Sequence, residues 1–461
     1  MMQFTESAAH GPPPPLHPTL RAWPDFPYNS SSSSSSNKSA GGQLSSLTNA
    51  ACMEQLLAHC AHAIDTHDAT LAQQLLWVLH NIAPPDGDSN QRLTAAFLRA
   101  LVLRASRSSS SPCAALAAAL SDVNHDSPLT PLSLSPVSLA AFIDLTPWHR
   151  FGFSAANAAI TDAADSFPVL HLVDLSTTYS MQLPTLIESL AARPEGAPFL
   201  RVTVASPPES TSPPPTLDMP LEQLGARLVN FARSRNVSME FRVVPSTPAD
   251  GFESLLEHLR LHQLVTDPAA EALVINCHMM LHCTPDESAP PPETAQQTAA
   301  PIMLSSLRTM FLKALRALEP TVVVVVDEDA DFTAGDVVGR LRAAFNYMWI
   351  PFDAVENLLP RGGEQRRRYE ASVCWKIENS IAQEGAQRVE RLETRSRWTQ
   401  RMRGVGFRAV GFGEEAAGEV KSMLDEHSAG WGLKKDEEEL ILTWKGHDAV
   451  FASAWMPSSL R

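Results

Sequence analysis

From residue 51 the apolar positions fall at helical steps. Met53, Leu56, Leu57, Cys60 and Ile64 share one face, as do Leu71, Leu75, Val78, Leu79 and Ile82, and then Leu93, Phe97 and Leu101. This spacing predicts three successive amphipathic helices, the second and third separated by the breakers Pro84, Pro85, Asp86 and Gly87. The heptads are not sustained, so the stripe reads as core within a domain rather than a dimer seam. Serine-rich loops at 106–111 and 127–138 flank a short alanine-rich helix. At Val169 the period changes. Residues 169–175 are a nearly unbroken apolar run carrying Asp174 near its end, followed by the polar turn Ser176, Thr177, Thr178, Tyr179 and Ser180. Such a run predicts a strand buried on both faces of a parallel sheet. Pro184 stands where a first helical position tolerates it, and Leu183, Leu186, Ile187 and Leu190 follow at three- and four-residue steps. Strand, turn and helix make the opening βα unit of a doubly wound domain.

The same alternation continues. Strands are expected at 199–204, 239–244, 271–276 and 321–326, and helices at 221–234, 252–264 and 304–318, with a Pro/Ser loop at 206–220 and a proline-rich insertion at 284–301. Strands alternating with helices predict a parallel α/β sheet. Two further β runs, 439–444 and 449–455, read as a terminal hairpin that adds antiparallel strands. Before all of this, residues 1–48 carry four prolines at 12–15 and seven serines at 30–36. Sequence of that kind buries too little apolar surface to offset the entropy of ordering, so a disordered tail is expected. Its aromatics Phe4, Trp23, Phe26 and Tyr28 either form a short docking peptide or ride on a passive tail.

Composition narrows the partners. The chain has 461 residues, 44% of them hydrophobic, enough for a sizeable core. Its formal charge of −15 repels nucleic acid and anionic membrane, so any DNA contact needs a local basic patch and protein partners come first. Cys52, Cys60, Cys113, Cys277, Cys283 and Cys374 are scattered without a CxxC pair, which suits free thiols in a reducing, intracellular compartment. No apolar run approaches the roughly 20 residues of a membrane helix, and the first residues carry neither a basic start nor an apolar segment of a secretory signal.

Four stretches could carry chemistry. A nucleotide or S-adenosylmethionine site would lie at the C-terminal end of the sheet, with glycines in the first βα turn and an acid ending the second strand. Residues 176–183 contain no glycine, and the second strand ends in Val204, Ala205 and Ser206. No cofactor is therefore expected; Asp174 is read as capping a nearby turn or helix start, with ligand contact as the other option. Residues 276–283, NCHMMLHC, crowd two histidines and two cysteines, yet zinc needs tetrahedral convergence and no second pair is evident, so packed side chains are expected and no metal. Asp327, Glu328, Asp329 and Asp331 could be paired carboxylates or a divalent-ion site, but without a partner base they read as a solvated turn facing helix N-termini. Between positions 361 and 403 stand eleven basic residues against six acidic ones, leaving +5 there and −20 elsewhere. Arg361, Arg366, Arg367, Arg368, Arg388, Arg391, Arg395, Arg397, Arg401 and Arg403 are accordingly candidates for DNA or partner contact. The alternative is a helix surface with i,i+4 pairs such as Glu393–Arg397.

Several motifs also resemble those of one family. Leu170, His171, Leu172, Val173 and Asp174, continued by Gln182, Pro184, Leu186 and Ile187, are similar to the VHIID motif of the GRAS family of plant transcriptional regulators, which includes the SCARECROW-like and DELLA proteins. Pro147, Phe151, Ala156, Asn157 and Ile160 fit the segment preceding that motif, and residues 51–101 and 277–282 resemble the family's leucine-rich regions. Phe352, Asp353, Leu359, Pro360, Arg361, Arg368, Arg391, Glu393 and Trp398 resemble its PFYRE region. Trp431, Trp444, Gly446, Ser453, Ala454 and Trp455 resemble its closing SAW region. The departures are Ser180 and Leu183, where many members have glycine and tryptophan. The resemblance implies an α/β fold: a Rossmann-like, methyltransferase-type core with a mixed, mostly parallel sheet and a helical cap. It divides the chain into a tail at 1–50 and a domain at 51–461, with the cap in 51–138 and the core in 139–461. It also implies a nuclear, non-enzymatic regulator in plant development or signalling, acting as a scaffold for other transcription factors or GRAS proteins, as a homo- or heterodimer, with DNA contact through the arginines. The alternative is a methyltransferase-like protein binding S-adenosylmethionine or a hormone. No DELLA-type block occurs in the tail.

Overall fold

A computed structural model of the chain describes residues 49–107, 132–206, 213–285 and 306–458. The expected tail, the alanine-rich helix with half of its serine-rich flanks, Cys113 and nearly all of the 284–301 insertion lie outside the described residues. Three helices open the domain: α1 (Ala50–Asp65), α2 (Ala69–Ile82) and α3 (Ser89–Arg107). Asn49 and Asp68 cap the first two by accepting from the backbone N–H groups of Ala51 and Leu71. The end of the expected 127–138 loop instead holds β1 (Ser133–Leu134) and the start of α4 (Pro136–Ile143), after which comes α5 (Pro147–Ala163).

The alternating part follows: β2 (Val169–Ser176), α6 (Leu183–Ala191), β3 (Phe199–Ser206), β4 (Thr216–Leu217), α7 (Leu221–Ser234), β5 (Met239–Pro245), α8 (Glu253–Gln263), β6 (Glu271–His278), α9 (Leu307–Ala317) and β7 (Val322–Glu328). The C-terminal part adds α10 (Val337–Ala354), α11 (Glu364–Ala382), α12 (Arg395–Gly404), β8 (Phe407–Val410), α13 (Glu414–Asp425), β9 (Trp431–Asp436), β10 (Glu439–Trp444) and β11 (His447–Pro457). Apart from the two-residue β1–β4 pair, the strands form one sheet in the order β5-β3-β2-β6-β7-β11-β10-β9, with β8 also on β11. β5, β3, β2, β6 and β7 are parallel, and β11, inserted between β7 and β10, runs antiparallel to both. The sheet is thus mixed and mostly parallel, with its direction of winding reversing between β2 and β6, where open α/β sheets bind ligands.

Period-two burial explains the layers. Leu170 and Leu172 of β2, Val322, Val324 and Val326 of β7, and Val450, Ala452 and Ala454 of β11 face one side of the sheet. Val173, Leu175, Val323, Val325, Phe451 and Trp455 face the other, against α8, α9 and α12. α5 packs across β6, β7 and β11 rather than beside the first strand, as its place in the sequence suggests. Its Gly152 permits this closeness, because a Cβ there would stand 2.6 Å from both the His278 ring and Val326.

The cap draws on two distant segments of the chain. α1, α2 and α3 pack on one another and on α10 and α11, so two helices from the segment assigned to the core at 139–461 complete a cap expected within 51–138. Buried Arg92 of α3 reaches Glu356 at 2.7 Å and Glu370 of α11 at 3.0 Å, while Arg99 pairs with Glu378 and Arg104 with Glu384. Among the described residues no helix is long and apolar enough to cross a membrane.

Candidate functional site

The C-terminal ends of the parallel strands carry two buried polar networks. The first begins at Asp174. Its Oδ2 accepts from the hydroxyls of Ser180 at 2.6 Å and Ser176 at 3.0 Å, and its Oδ1 from the Asn276 amide at 3.0 Å. Asn276 also donates to Gln182 at 2.9 Å, Gln182 donates to Asn157 at 2.8 Å, and Asn157 donates to Thr185 at 2.9 Å. One chain of hydrogen bonds therefore fastens β2, β6, α5 and α6 together. Burial raises the Asp174 carboxyl above its ordinary range, against the pull of its three donors. Asp174 is thus tied to the turn that follows its own strand.

The remaining residues of that motif are structural in position. Leu170, Leu172 and Val173 are core side chains, and Pro184 occupies the first turn of α6. His171 points away from this network, to Glu271 and Thr203. Tyr179 and Ser180 adopt positive φ values of 52° and 59°, a conformation that a glycine would take without strain. The turn keeps a glycine-like backbone while filling its space with side chains.

Beside it lies a mostly apolar cleft of about 310 Å³, lined by Val204, Ala205, Leu221, Pro248, Met280 and Val389, with Asp174 and Ser180 on its wall. Its fit to the methyltransferase cofactor implied by the fold is poor. Asp174 is already held by three internal donors, no acid ends β3 to take ribose hydroxyls, and side chains stand where the backbone would approach the ligand.

The second network surrounds the ends of β6 and β7. His282 meets Asp327 at 2.7 Å and Glu390 at 3.3 Å. Lys376 of α11 meets Glu328 at 2.7 Å, and Glu328 also accepts from the Trp148 indole at 2.9 Å. Burial opposes the charge on His282, yet Asp327 and Glu390 hold it protonated well above the ordinary imidazole range. Likewise burial opposes the charge on Glu390, but Lys376 and His282 hold its carboxyl below the usual value. The expected solvated turn is corrected here: Asp327 and Glu328 lie inside β7, 1% and 5% exposed, and are neutralised by buried cations. Asp329 does face a helix start, accepting from the Arg395 N–H at 3.0 Å, and Asp331 meets Thr333 and Arg397. The histidines and cysteines of 276–283 do not converge. His278 contacts His149 at 3.1 Å, His282 turns to Asp327, and Cys277 is buried with its thiol pushed up by burial and by Asp174.

The arginine stretch is corrected as well. It does not form one basic face. Arg366, Arg388 and Arg391 are buried, bonded to Glu356 and Glu370, to the Phe332 carbonyl and to the Gly385 carbonyl respectively. Arg401 pairs with buried Glu393 at 2.6 Å, and Arg395 meets Asp436 at 2.8 Å and Glu439 at 3.0 Å. Glu393 therefore serves Arg401 rather than Arg397. Arg361, Arg367, Arg368, Arg397 and Arg403 are exposed; Arg361 pairs with Glu356, Arg367 and Arg368 share Glu364, and Arg397 reaches Asp331. A count along the sequence registers charge, whereas contact requires exposure.

The closing hairpin is a packing device. Trp455 is 1% exposed within the sheet's second layer, and its indole donates to Ser453 at 2.9 Å. Trp444 packs tilted against Trp431 with centroids 4.7 Å apart and donates to Asp353 at 2.8 Å, joining the hairpin to α10. Ala454 packs with the first layer, and Lys445 and Gly446, with φ of 49° and 84°, make the two-residue turn between β10 and β11.

Comparisons with known proteins agree with one another. A model of the GRAS domain family matches residues 53–456. Scarecrow-like protein 32 of Arabidopsis thaliana is 52% identical over 408 residues, 88% of this chain and 93% of that protein. Protein SHORT-ROOT 1 of Oryza sativa subsp. japonica is 31% identical over 435 residues, 87% of this chain and 68% of that one. Among solved structures, the crystal structure of SCL7 in Oryza sativa matches 87% of this chain and 99% of its own, with a TM-score of 0.66 at 24% identity.

Proposed function

This chain belongs to the GRAS domain family of plant transcriptional regulators, and from that premise we propose that it acts in the nucleus as a protein-interaction scaffold in development or signalling. The observation that carries the reading is the state of the switch-point end of the sheet. There the polar groups that an enzyme would turn toward a substrate are spent on each other: Asp174 on two serines and an asparagine, Asp327 and Glu390 on His282, Glu328 on Lys376 and Trp148. A Rossmann-like core of this kind supports the surfaces around it. The partners of this reading are other transcription factors or family members.

The test tethers the full chain to a heterologous DNA-binding domain above a reporter in plant cells. Tethered protein should change reporter output several-fold relative to the DNA-binding domain alone; no change at equal nuclear abundance overturns the regulatory reading. Fluorescence anisotropy with mixed duplex DNA over a salt series decides whether DNA is touched directly. The scaffold reading predicts weak binding that is indifferent to replacing Arg361, Arg367, Arg368, Arg397 and Arg403 by alanine. Tight binding that falls steeply with salt and vanishes in that variant would make those five exposed arginines a DNA surface, since counterion release produces such a slope.

A further inference from the structure

A second cluster lies away from the cleft, near the N-terminal ends of the parallel strands. His171 comes from β2, Glu271 is the first residue of β6, and His262 stands in the last turn of α8. His171 Nδ1 lies 2.9 Å and His262 Nε2 lies 2.8 Å from the same carboxylate oxygen, Oε1 of Glu271. The three donor atoms are within 4.8 Å of one another. We propose that His171, His262 and Glu271 form a three-ligand site for a borderline divalent cation, zinc above all.

The donor set suits that ion, which takes imidazole nitrogen and carboxylate oxygen at roughly 2.0–2.2 Å. Two imidazoles now converge on one oxygen through protons, and a single cation between the three atoms replaces those protons. The groups behind the donors are in place. His171 Nε2 is held by the Thr203 hydroxyl at 2.9 Å, which accepts or donates as the ring tautomer requires. Glu271 Oε2 is held by Arg201 at 2.5 Å, so Oε1 faces the imidazoles. Partners of this kind orient first ligands in known metal sites. Arg201 also lies 3.2 Å from His262 Nε2, and loading requires it to yield that contact while keeping Glu271. A cleft of about 300 Å³ lined by all three residues and Thr266 opens over the donors, giving room for water as the fourth ligand.

The experiment uses the full-length chain, stripped with a chelator. Isothermal titration with zinc chloride should give one site per chain, accompanied by a rise in melting temperature. The cobalt-loaded protein should show visible d–d bands without a thiolate charge-transfer band, which sets this site apart from the scattered cysteines. His262→Ala, at a half-buried position on the last turn of α8, should weaken zinc at least about tenfold with unchanged near-ultraviolet circular dichroism. Glu271→Gln should do the same, and if it fails to fold His262→Ala decides alone. No zinc binding by wild type, a thiolate band, or equal affinity in wild type and His262→Ala overturns the proposal.

Discussion

Asp174 shows how one buried carboxyl can be misjudged in either direction. At the end of a Rossmann-type strand an acid suggests a ligand contact, and the sequence left that option beside a capping role. Its three internal donors are side chains, so it caps neither a turn nor a helix start but ties its strand to the following turn and to β6. Asp174→Ala should lower stability by about 1–3 kcal/mol in urea denaturation, because Asn276 and the two serines lose a buried acceptor. Asp174→Asn should recover most of that loss, since the amide keeps one acceptor and the serine hydroxyls reverse their bonds. At this scale the sequence displayed residue identity but not environment. It could not distinguish Arg366, at 3% exposure, from its exposed neighbours Arg367 and Arg368, because the distinction is made by Glu356 and Glu370 across the cap.

Among elements, the readable ones were those buried on both faces. β2, β6 and β7 announced themselves as apolar runs because nearly every side chain in them is buried. β8 and β9 gave no such signal: one is four residues long and the other, WGLKKD, lies at the sheet edge with its lysines exposed. Helix-on-sheet closeness was equally silent. Gly152 reads as a mild helix weakener, yet the helix needs it to lie against His278 and Val326. Gly152→Ala should therefore destabilise by about 1–3 kcal/mol through overpacking, even though alanine is worth up to about 1 kcal/mol in an isolated helix. A denaturation midpoint that rises instead would mean that α5 shifts away freely.

For the molecule as a whole, the contacts that the sequence hid most thoroughly join two distant segments of the cap. The pairing of Arg92 with Glu370 spans 278 positions, a separation at which no local pattern carries information. Because α10 also bonds the sheet, Tyr347 donating to the Ala449 carbonyl at 2.6 Å, the cap and core should unfold together. Arg92→Ala removes a buried cation shared by Glu356 and Glu370, which keep Arg366, and should lower the stability of the whole domain by about 1–3 kcal/mol. Circular dichroism and tryptophan fluorescence should report one shifted transition rather than two separate ones. The family resemblance foresaw that a cap exists, while its composition from five helices of two distant segments emerges from the packing of α10 and α11 on α1–α3.

That composition also sets a timetable for the newborn chain. α1–α3 leave the ribosome first, but the surface they pack against ends only with Ala382. At roughly 5–20 residues per second, the interval between the emergence of Arg107 and that of Ala382 is on the order of tens of seconds. Throughout it the apolar flanks of Leu93, Phe97 and Leu101 lack their partners on α10 and α11, which makes residues 50–107 the stretch most exposed to aggregation during synthesis.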